Sequence, residues 1–257
     1  MAVRRGGMVL AVLSVPLVLA APVSPAVRAA AHPVVREAVV PATGTDAYAD
    51  GRCGDTAGTW MGARWREPMR WRFDIASAPA YLGDAAAVRD VVRRAAANID
   101  LGRNPCGLAE NLDIAQGYES DTGRTAGVTP DGTCAGLDGA NTVSFGTLPA
   151  GTLAVTCTWW VPGRGGADGR AVEADILVND AVGLFAPVTA AATSCSGQWD
   201  LESALTHEFG HAFGLGHVSS ATHPGLTMSD GLAPCDFGHR GLGLGDYAML
   251  RARYGAG

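Results

Sequence analysis

The sequence predicts an α+β fold, and three observations support this class. Two segments, 69–75 and 172–178, alternate apolar with polar residues, which is the period of a half-buried strand. An apolar stripe with helical spacing runs from 88 to 99 and follows Asp84, a residue suited to cap a helix. A second stripe of this kind follows Asp200.

The N-terminal region resembles a secretory signal peptide. Arg4 and Arg5 precede an apolar run over 8–21, which small residues follow. The run is too short to span a bilayer, and Pro16 inside it disfavours a buried helix. We therefore expect a secreted, extracellular protein. Its expected parts are a signal peptide over 1–30, cleaved after Ala20, Ala26, Ala29 or Ala31, a linker or short pro-segment over 31–50, and one domain over 51–257.

Several shorter strands are predicted between the first helix and the second. Weak strand signals lie at 112–114 and 142–145, and a firmer one runs through 153–159. Residues 31–50 are rich in Ala, Val and Pro and show neither a helical nor a strand period. A strand, a helix, several strands and two final helices together give the α+β order.

The most informative motif lies in the second predicted helix, where residues 207–217 read HExxHxxGxxH. His207 and His211 are four residues apart, so on a helix they share one face and reach a single ion at about 2.0–2.1 Å. Gly214 is suited to end the helix, after which His217 returns as a third ligand. Glu208 then lies beside the open fourth position, where a water binds.

This ligand set predicts metal-assisted peptide hydrolysis. Three neutral imidazoles hold one Zn²⁺, and Glu208 acts as the general base for a water whose pKa the metal lowers towards about 7. The alternative is a secreted, non-catalytic binding module that keeps zinc for stability. A structural zinc site normally closes its fourth position with a protein ligand. The carboxylate of Glu208 at the general-base position therefore argues against a structural site. A hydrolase that acts on a substrate other than peptide is a third interpretation.

The motif, together with Thr227-Met228-Ser229 eleven residues beyond His217, resembles the metzincin zinc endopeptidases. The segments 152–163, 173–176 and 242–255 are similar to the matrixin-like branch. The resemblance implies a metzincin-like catalytic domain with a mixed twisted sheet, an active-site helix and a C-terminal helix. It also implies that Met228 packs beneath the metal, and that an extended substrate pairs with an edge strand formed by Val172, Ala174 and Ile176.

The chain departs from the matrixin pattern at two places. No histidine lies between 32 and 207, so a second, structural zinc is not supported. Arg52-Cys53-Gly54-Asp55 resembles the cysteine switch, in which a pro-segment thiolate occupies the zinc, but this role would leave an odd number of cysteines. A disulfide at Cys53 is therefore favoured.

The six cysteines all follow the predicted signal peptide, and an even number in an exported chain indicates three disulfides with fifteen possible connectivities. Pairing of Cys195 with Cys235 would clamp the zinc helix and the methionine turn, and we favour it. The cysteine positions are Cys53, Cys106, Cys134, Cys157, Cys195 and Cys235.

Charge and composition limit the partners. The formal net charge is −6, and the mature region has no basic cluster, which argues against nucleic acid and against stable membrane association. We expect a monomer that binds a protein or peptide substrate. Asp/Asn/Gly-rich loops at 131–132, 138–141 and 163–168 make Ca²⁺ a further possible ion. His223 and His239 are expected to be surface or loop histidines.

Overall fold

A computed structural model describes residues 32–41, 51–186 and 195–255. The predicted signal peptide and the rest of the 31–50 segment lie outside the described residues. The elements in chain order are β1 His32–Pro41, β2 Thr59–Trp60, β3 Ala63–Arg64, β4 Met69–Asp74, α1 Ala85–Leu101, β5 Gln116–Thr122, β6 Asn141–Gly146, β7 Ala154–Val161, β8 Gly169–Asn179, β9 Leu184–Phe185, β10 Trp199–Asp200, α2 Leu201–Ala212, β11 Leu215–Gly216, β12 Gly231–Leu232 and α3 Leu244–Tyr254.

Eight of the described strands form one mixed sheet. The order is β12-β1-β7-β8-β6-β4-β5, and β3 pairs with β8 beside this path. Strands β5, β4, β6 and β8 run parallel to one another, whereas β7 is antiparallel to both β8 and β1. The parallel part requires crossover connections, which α1 supplies between β4 and β5.

The helices bury their apolar residues against this sheet. Asp84 caps α1 by accepting a hydrogen bond from the backbone N–H of Ala86 at 3.1 Å, and the predicted stripe from Val88 to Ile99 is buried. Helices α1 and α2 pack on each other, and a single apolar cluster joins both to Trp71 and Phe73 of β4. This core fixes the position of α2 relative to the sheet.

The mixed sheet with its few helices is compatible with the predicted α+β class, but three local predictions are wrong. Residues 112–114 are not a strand; the neighbouring strand is β5, whose polar sequence at the sheet edge gave no alternating signal. Residues 32–41, where no strand period was detected, form β1. The segment 172–178 lies inside β8, which pairs with β7 and, from Ile176 onward, with β6, so β8 is not an edge strand of the sheet.

All six cysteines are paired, and the expected bond between Cys195 and Cys235 is present. The other two disulfides join Cys53 to Cys106 and Cys134 to Cys157. Three disulfides are typical of a protein from an oxidising compartment. Among the described residues, no helix combines the length and the apolar character needed to cross a bilayer.

Candidate metal centre

Helix α2 carries the first two histidines of the motif through the centre of the protein. Asp200 caps it, as predicted, by accepting a hydrogen bond from the backbone N–H of Ser203 at 2.9 Å. The same carboxylate also accepts two hydrogen bonds from the guanidinium of Arg240. Every residue of α2 is buried, so the histidine side chains are held in place by packing on all sides.

The three histidines converge on one point. The Nε2 atom of His207 lies 2.8 Å from that of His211 and 2.9 Å from that of His217, and the last pair is separated by 3.1 Å. Three ligands at about 2.0–2.1 Å in a tetrahedron are about 3.3 Å apart, so a small outward movement fits them to one ion. Among the described residues, these three are the one group of His, Cys, Asp or Glu side chains with this capacity.

Hydrogen bonds on the opposite ring atoms set the tautomers. The Nδ1–H of His207 donates to the carbonyl of Thr227 at 2.8 Å, and the Nδ1–H of His211 donates to the carbonyl of Leu215 at 2.8 Å. In a neutral ring the Nε2 atom then carries a lone pair rather than a proton. The lone pairs therefore face one another, which is repulsive unless a cation lies between them. Backbone carbonyls hold metal-binding imidazoles in this way.

Burial keeps these rings neutral. Loss of hydration lowers the pKa of His207 and of His211 well below the ordinary value of 6.5, and the neighbouring imidazoles add to the effect. Burial also lowers the pKa of His217, and Asp230 partly opposes this shift. Neutral imidazole is the form that binds a metal, so the cluster is suited to a cation near pH 7.

Glu208 is fully buried and is held by the neighbouring sheet. Its carboxylate accepts a hydrogen bond from the hydroxyl of Thr156 on β7 at 2.6 Å, and the same hydroxyl lies 3.1 Å from the backbone carbonyl of Glu208. A bond of this kind to a carboxylate fixes the side chain in one orientation. The contact joins positions 52 residues apart, so the spacing of the motif gave no sign of Thr156.

The turn after the motif lies directly under the helix. Met228 is buried and its backbone carbonyl accepts a hydrogen bond from the N–H of Val218, next to the third histidine. The carboxylate of Asp246 at the start of α3 accepts hydrogen bonds from the N–H groups of Thr227 and Met228. Asp246 thus ties the C-terminal helix to the turn whose carbonyl orients His207, a role that no motif in the sequence indicates.

The other two candidate histidines and the loops considered for calcium do not belong to the cluster of three histidines. The expectation of a surface or loop histidine holds only in part for His239, which lies in the turn Gly238–Arg240 but is buried, with Nδ1 2.9 Å from the carboxylate of Asp236. His223 is partly exposed and lies 2.9 Å from Asp55. In the loops considered for calcium, Asp131 accepts hydrogen bonds from two threonines and Asp138 pairs with Arg124. Calcium binding stays a prediction.

The predicted metal ligands come together in the structure, whereas the predicted substrate-binding residues do not lie on an open strand edge. His207, His211 and His217 come together as expected. Ala174 and Ile176 are buried within β8, and because this strand has neighbours on both sides its backbone is not open to a substrate. The strand beside Glu208 is β7 instead.

Comparison with known proteins adds no assignment, since neither the protein-family models nor the curated proteins searched gave a match to this chain. The function is therefore inferred from the site itself.

Proposed function

We propose that this chain is a secreted zinc-dependent endopeptidase of the metzincin clan, similar to its matrixin-like branch. The observation that carries the proposal is the convergence of the three Nε2 atoms of His207, His211 and His217, together with Glu208, which follows His207 in α2 and is held by Thr156. A helix, a loop histidine and a methionine turn supply this arrangement in the order of the metzincin motif.

The donor set suits zinc. His207, His211 and His217 would hold the ion, since their Nε2 atoms converge on a common point and backbone carbonyls fix the rings of His207 and His211. Three imidazoles without a fourth protein ligand are typical of catalytic rather than structural zinc sites. When bound, zinc would supply a water with a pKa of about 7 and would polarise the substrate carbonyl.

Proton transfer and the positioning of the site are then carried out by residues of the chain. The Glu208 carboxylate accepts the proton of the attacking water and delivers it to the amine that leaves. Thr156 fixes the orientation of that carboxylate by donating its hydroxyl proton. Met228 and Asp246 position His207 indirectly, because they hold the turn whose backbone carbonyl orients its ring.

The direct test replaces Glu208 with Gln in the full chain. Gln keeps the size of the side chain but cannot accept the proton. We expect casein hydrolysis to disappear while the zinc content, measured by mass spectrometry, stays at one ion per chain. A chelator should abolish wild-type hydrolysis, and added zinc should restore it.

The outcomes separate the interpretations given above. Wild-type activity that survives in the Glu208→Gln variant removes this residue from the mechanism. Stoichiometric zinc with no hydrolysis of any protein or peptide by the wild type favours the binding module. The secreted location is tested separately, by sequencing the N-terminus of the exported protein.

A further inference from the structure

The third histidine of the cluster is held differently from the other two. His207 and His211 are buried in α2, and a backbone carbonyl accepts the Nδ1–H of each. His217 is partly exposed and follows the two-residue strand β11 in a loop. Since a loop carries this ligand, its position depends on the contacts that hold the loop.

Backbone hydrogen bonds tie the loop to the methionine turn. The N–H of Val218 donates to the carbonyl of Met228 at 2.9 Å, and the N–H of Asp230 donates to the carbonyl of Val218 at 3.0 Å. Val218 and Ser229 thereby form a parallel bridge. The residue next to His217 is therefore fixed to the turn that lies under α2.

The side chain of Asp230 extends this pairing. Its Oδ1 atom accepts a hydrogen bond from the backbone N–H of Ser220 at 2.7 Å. A hydrogen bond from a backbone N–H to a carboxylate is stronger than one to a neutral acceptor. The residues that follow His217 are thus closed against the turn by two bonds at Val218 and one at Ser220.

The same carboxylate acts on the ring of His217 through its charge. Partial burial raises the pKa of Asp230, but the hydrogen bonds from Ser220 and the attraction of His217 outweigh this effect and hold the pKa below its ordinary value of 3.8. Asp230 is therefore ionised near pH 7. Its charge in turn opposes the fall in the pKa of His217 that burial causes. A negative charge that favours a proton on an imidazole also favours a divalent cation bound to that imidazole.

We propose that Asp230 is the positioning residue of the third metal ligand. It fixes the loop that carries His217 by accepting the N–H of Ser220, and its negative charge strengthens the hold of His217 on a divalent cation. Its role is to act through His217 rather than on the substrate. The inference rests on the proposed function for the presence of the metal and is independent of catalysis.

Two variants of the full chain separate the two parts of this role. Asp230→Asn keeps an oxygen acceptor for the N–H of Ser220 and removes the charge, whereas Asp230→Ala removes both. A merely structural turn residue would need only the acceptor, so Asn would then replace Asp without effect. Asp84→Ala is the matched control, because the carboxylate of Asp84 also accepts one backbone N–H, at 3.1 Å, but does so at the start of α1.

The first readout is the affinity for Zn²⁺ in the absence of substrate, measured by competition with a chromophoric chelator. Loss of a carboxylate that supports a metal-binding imidazole typically weakens metal binding by about 10–100-fold. We therefore expect the dissociation constant to rise by about tenfold in Asp230→Asn and by about 100-fold in Asp230→Ala. The Asp84→Ala variant should keep the wild-type value. Wild-type affinity in Asp230→Asn, or an equal loss of affinity in Asp84→Ala and Asp230→Ala, would overturn the inference.

The second readout reports the geometry of the ligands. Co²⁺ bound in place of Zn²⁺ absorbs visible light with an intensity that depends on the arrangement of its ligands. At saturating Co²⁺, Asp230→Asn should keep the wild-type spectrum because the loop stays fixed, whereas Asp230→Ala should show weaker and shifted bands because His217 is released. An unchanged spectrum in Asp230→Ala would contradict the positioning role. If far-ultraviolet circular dichroism shows that Asp230→Ala does not fold, the zinc affinity of Asp230→Asn decides, since this variant keeps the hydrogen bond.

The measurements also distinguish this inference from the proposed function. If the variants lose zinc affinity as expected and no form of the chain hydrolyses any peptide, the proposed peptidase has failed and the role of Asp230 stands. If the wild type hydrolyses peptides and Asp230→Asn binds zinc as tightly as the wild type does, the role of Asp230 has failed and the peptidase stands. A wild-type chain that binds no zinc would overturn both.

Discussion

The side chain of Met228 occupies the space that a side chain at position 210 would need. A Cβ atom built on Gly210 would overlap the Sδ atom of Met228, and it would lie 3.2 Å from the methionine Cε atom. Gly210 is inside α2, where glycine costs about 1 kcal/mol relative to alanine. Close contact between the helix and the methionine turn therefore explains a residue that helix propensity alone disfavours.

Replacing Gly210 with Ala should destabilise the protein despite the better helix propensity of alanine. Overpacking of a buried contact costs about 1–3 kcal/mol, which exceeds the gain in propensity. The free energy of unfolding, measured by urea denaturation with zinc present, should fall. The Met228→Ala variant removes the obstacle, so the double variant should lose less than the sum of the two single losses. Strict additivity would contradict the contact.

Replacing Thr156 with Val should weaken hydrolysis without loss of zinc. The change keeps the shape and strand preference of the residue and removes the hydroxyl that holds Glu208 at 2.6 Å. A hydrogen bond to a charged group contributes about 1.5–3 kcal/mol, so kcat/KM should fall by about tenfold or more. The acidic limb of the pH–rate profile should move to higher pH, because the ionised carboxylate loses a donor. The Thr156→Ser variant keeps the hydroxyl and should keep the wild-type profile.

Asp175 should make stability depend on pH in a defined direction. Burial raises the pKa of Asp175 from its ordinary value of 3.8 to about 7, although the backbone N–H of Thr142 donates a hydrogen bond to it. Between these two values the folded chain binds more protons at this site than the unfolded chain does. The free energy of unfolding should therefore fall as the pH rises from about 4 to about 7.

The variant Asp175→Asn isolates this contribution. The difference in unfolding free energy between wild type and variant should decrease over that pH interval and stay constant above it. Asp131→Asn is the matched control, since hydroxyl groups of Thr129 and Thr133 lower the pKa of Asp131 to about 2. The pH dependence of its effect should be confined to the interval between about pH 2 and about pH 4 and should have the opposite sign, because the stability that Asp131 contributes is present above about pH 4 and is lost as the pH falls. A difference for Asp175 that rises with pH would refute the assignment.

Removal of the Cys195–Cys235 disulfide should lower both stability and metal affinity. The bond closes a segment with a sequence separation of 40 residues that contains all three histidine ligands. Loss of a disulfide of this loop length costs about 2–4 kcal/mol through the unfolded chain. The double Cys→Ala variant should unfold at lower urea concentration and lose zinc to a weaker chelator. The Cys134–Cys157 pair lies outside that segment, and its removal should change stability but not zinc affinity.

The local features of the site could be predicted from the sequence, whereas the contacts between distant segments could not. The spacing of His207 and His211 determines that they share a helix face, and Gly214 ends that helix with φ of 95°. The hydrogen bond between Thr156 and Glu208 depends on which strand lies beside α2. The periodicity of apolar residues does not reveal the order of strands in the sheet. For the same reason the sequence predicts the segment 172–178 at a sheet edge, whereas β8 lies between β7 and β6 in the sheet.

Two further differences between prediction and structure, at residues 32–41 and at His239, also arise from contacts between distant segments. Strand β1 is stabilised by pairing with β7 and β12, so its Ala/Val/Pro-rich sequence needs no alternation. His239 is buried because the turn that contains it packs on α2. A sequence alone does not show such packing.

X-ray absorption at the zinc edge of the full-length protein tests the central claim most directly. The claim is that His207, His211 and His217 hold one ion and leave one position for water. The spectrum should show three imidazole nitrogen atoms and one oxygen atom at about 2.0–2.1 Å. The ion should be lost from the His211→Ala variant. A fourth imidazole, a sulfur ligand at about 2.3 Å, or a wild-type chain that retains no zinc would contradict it.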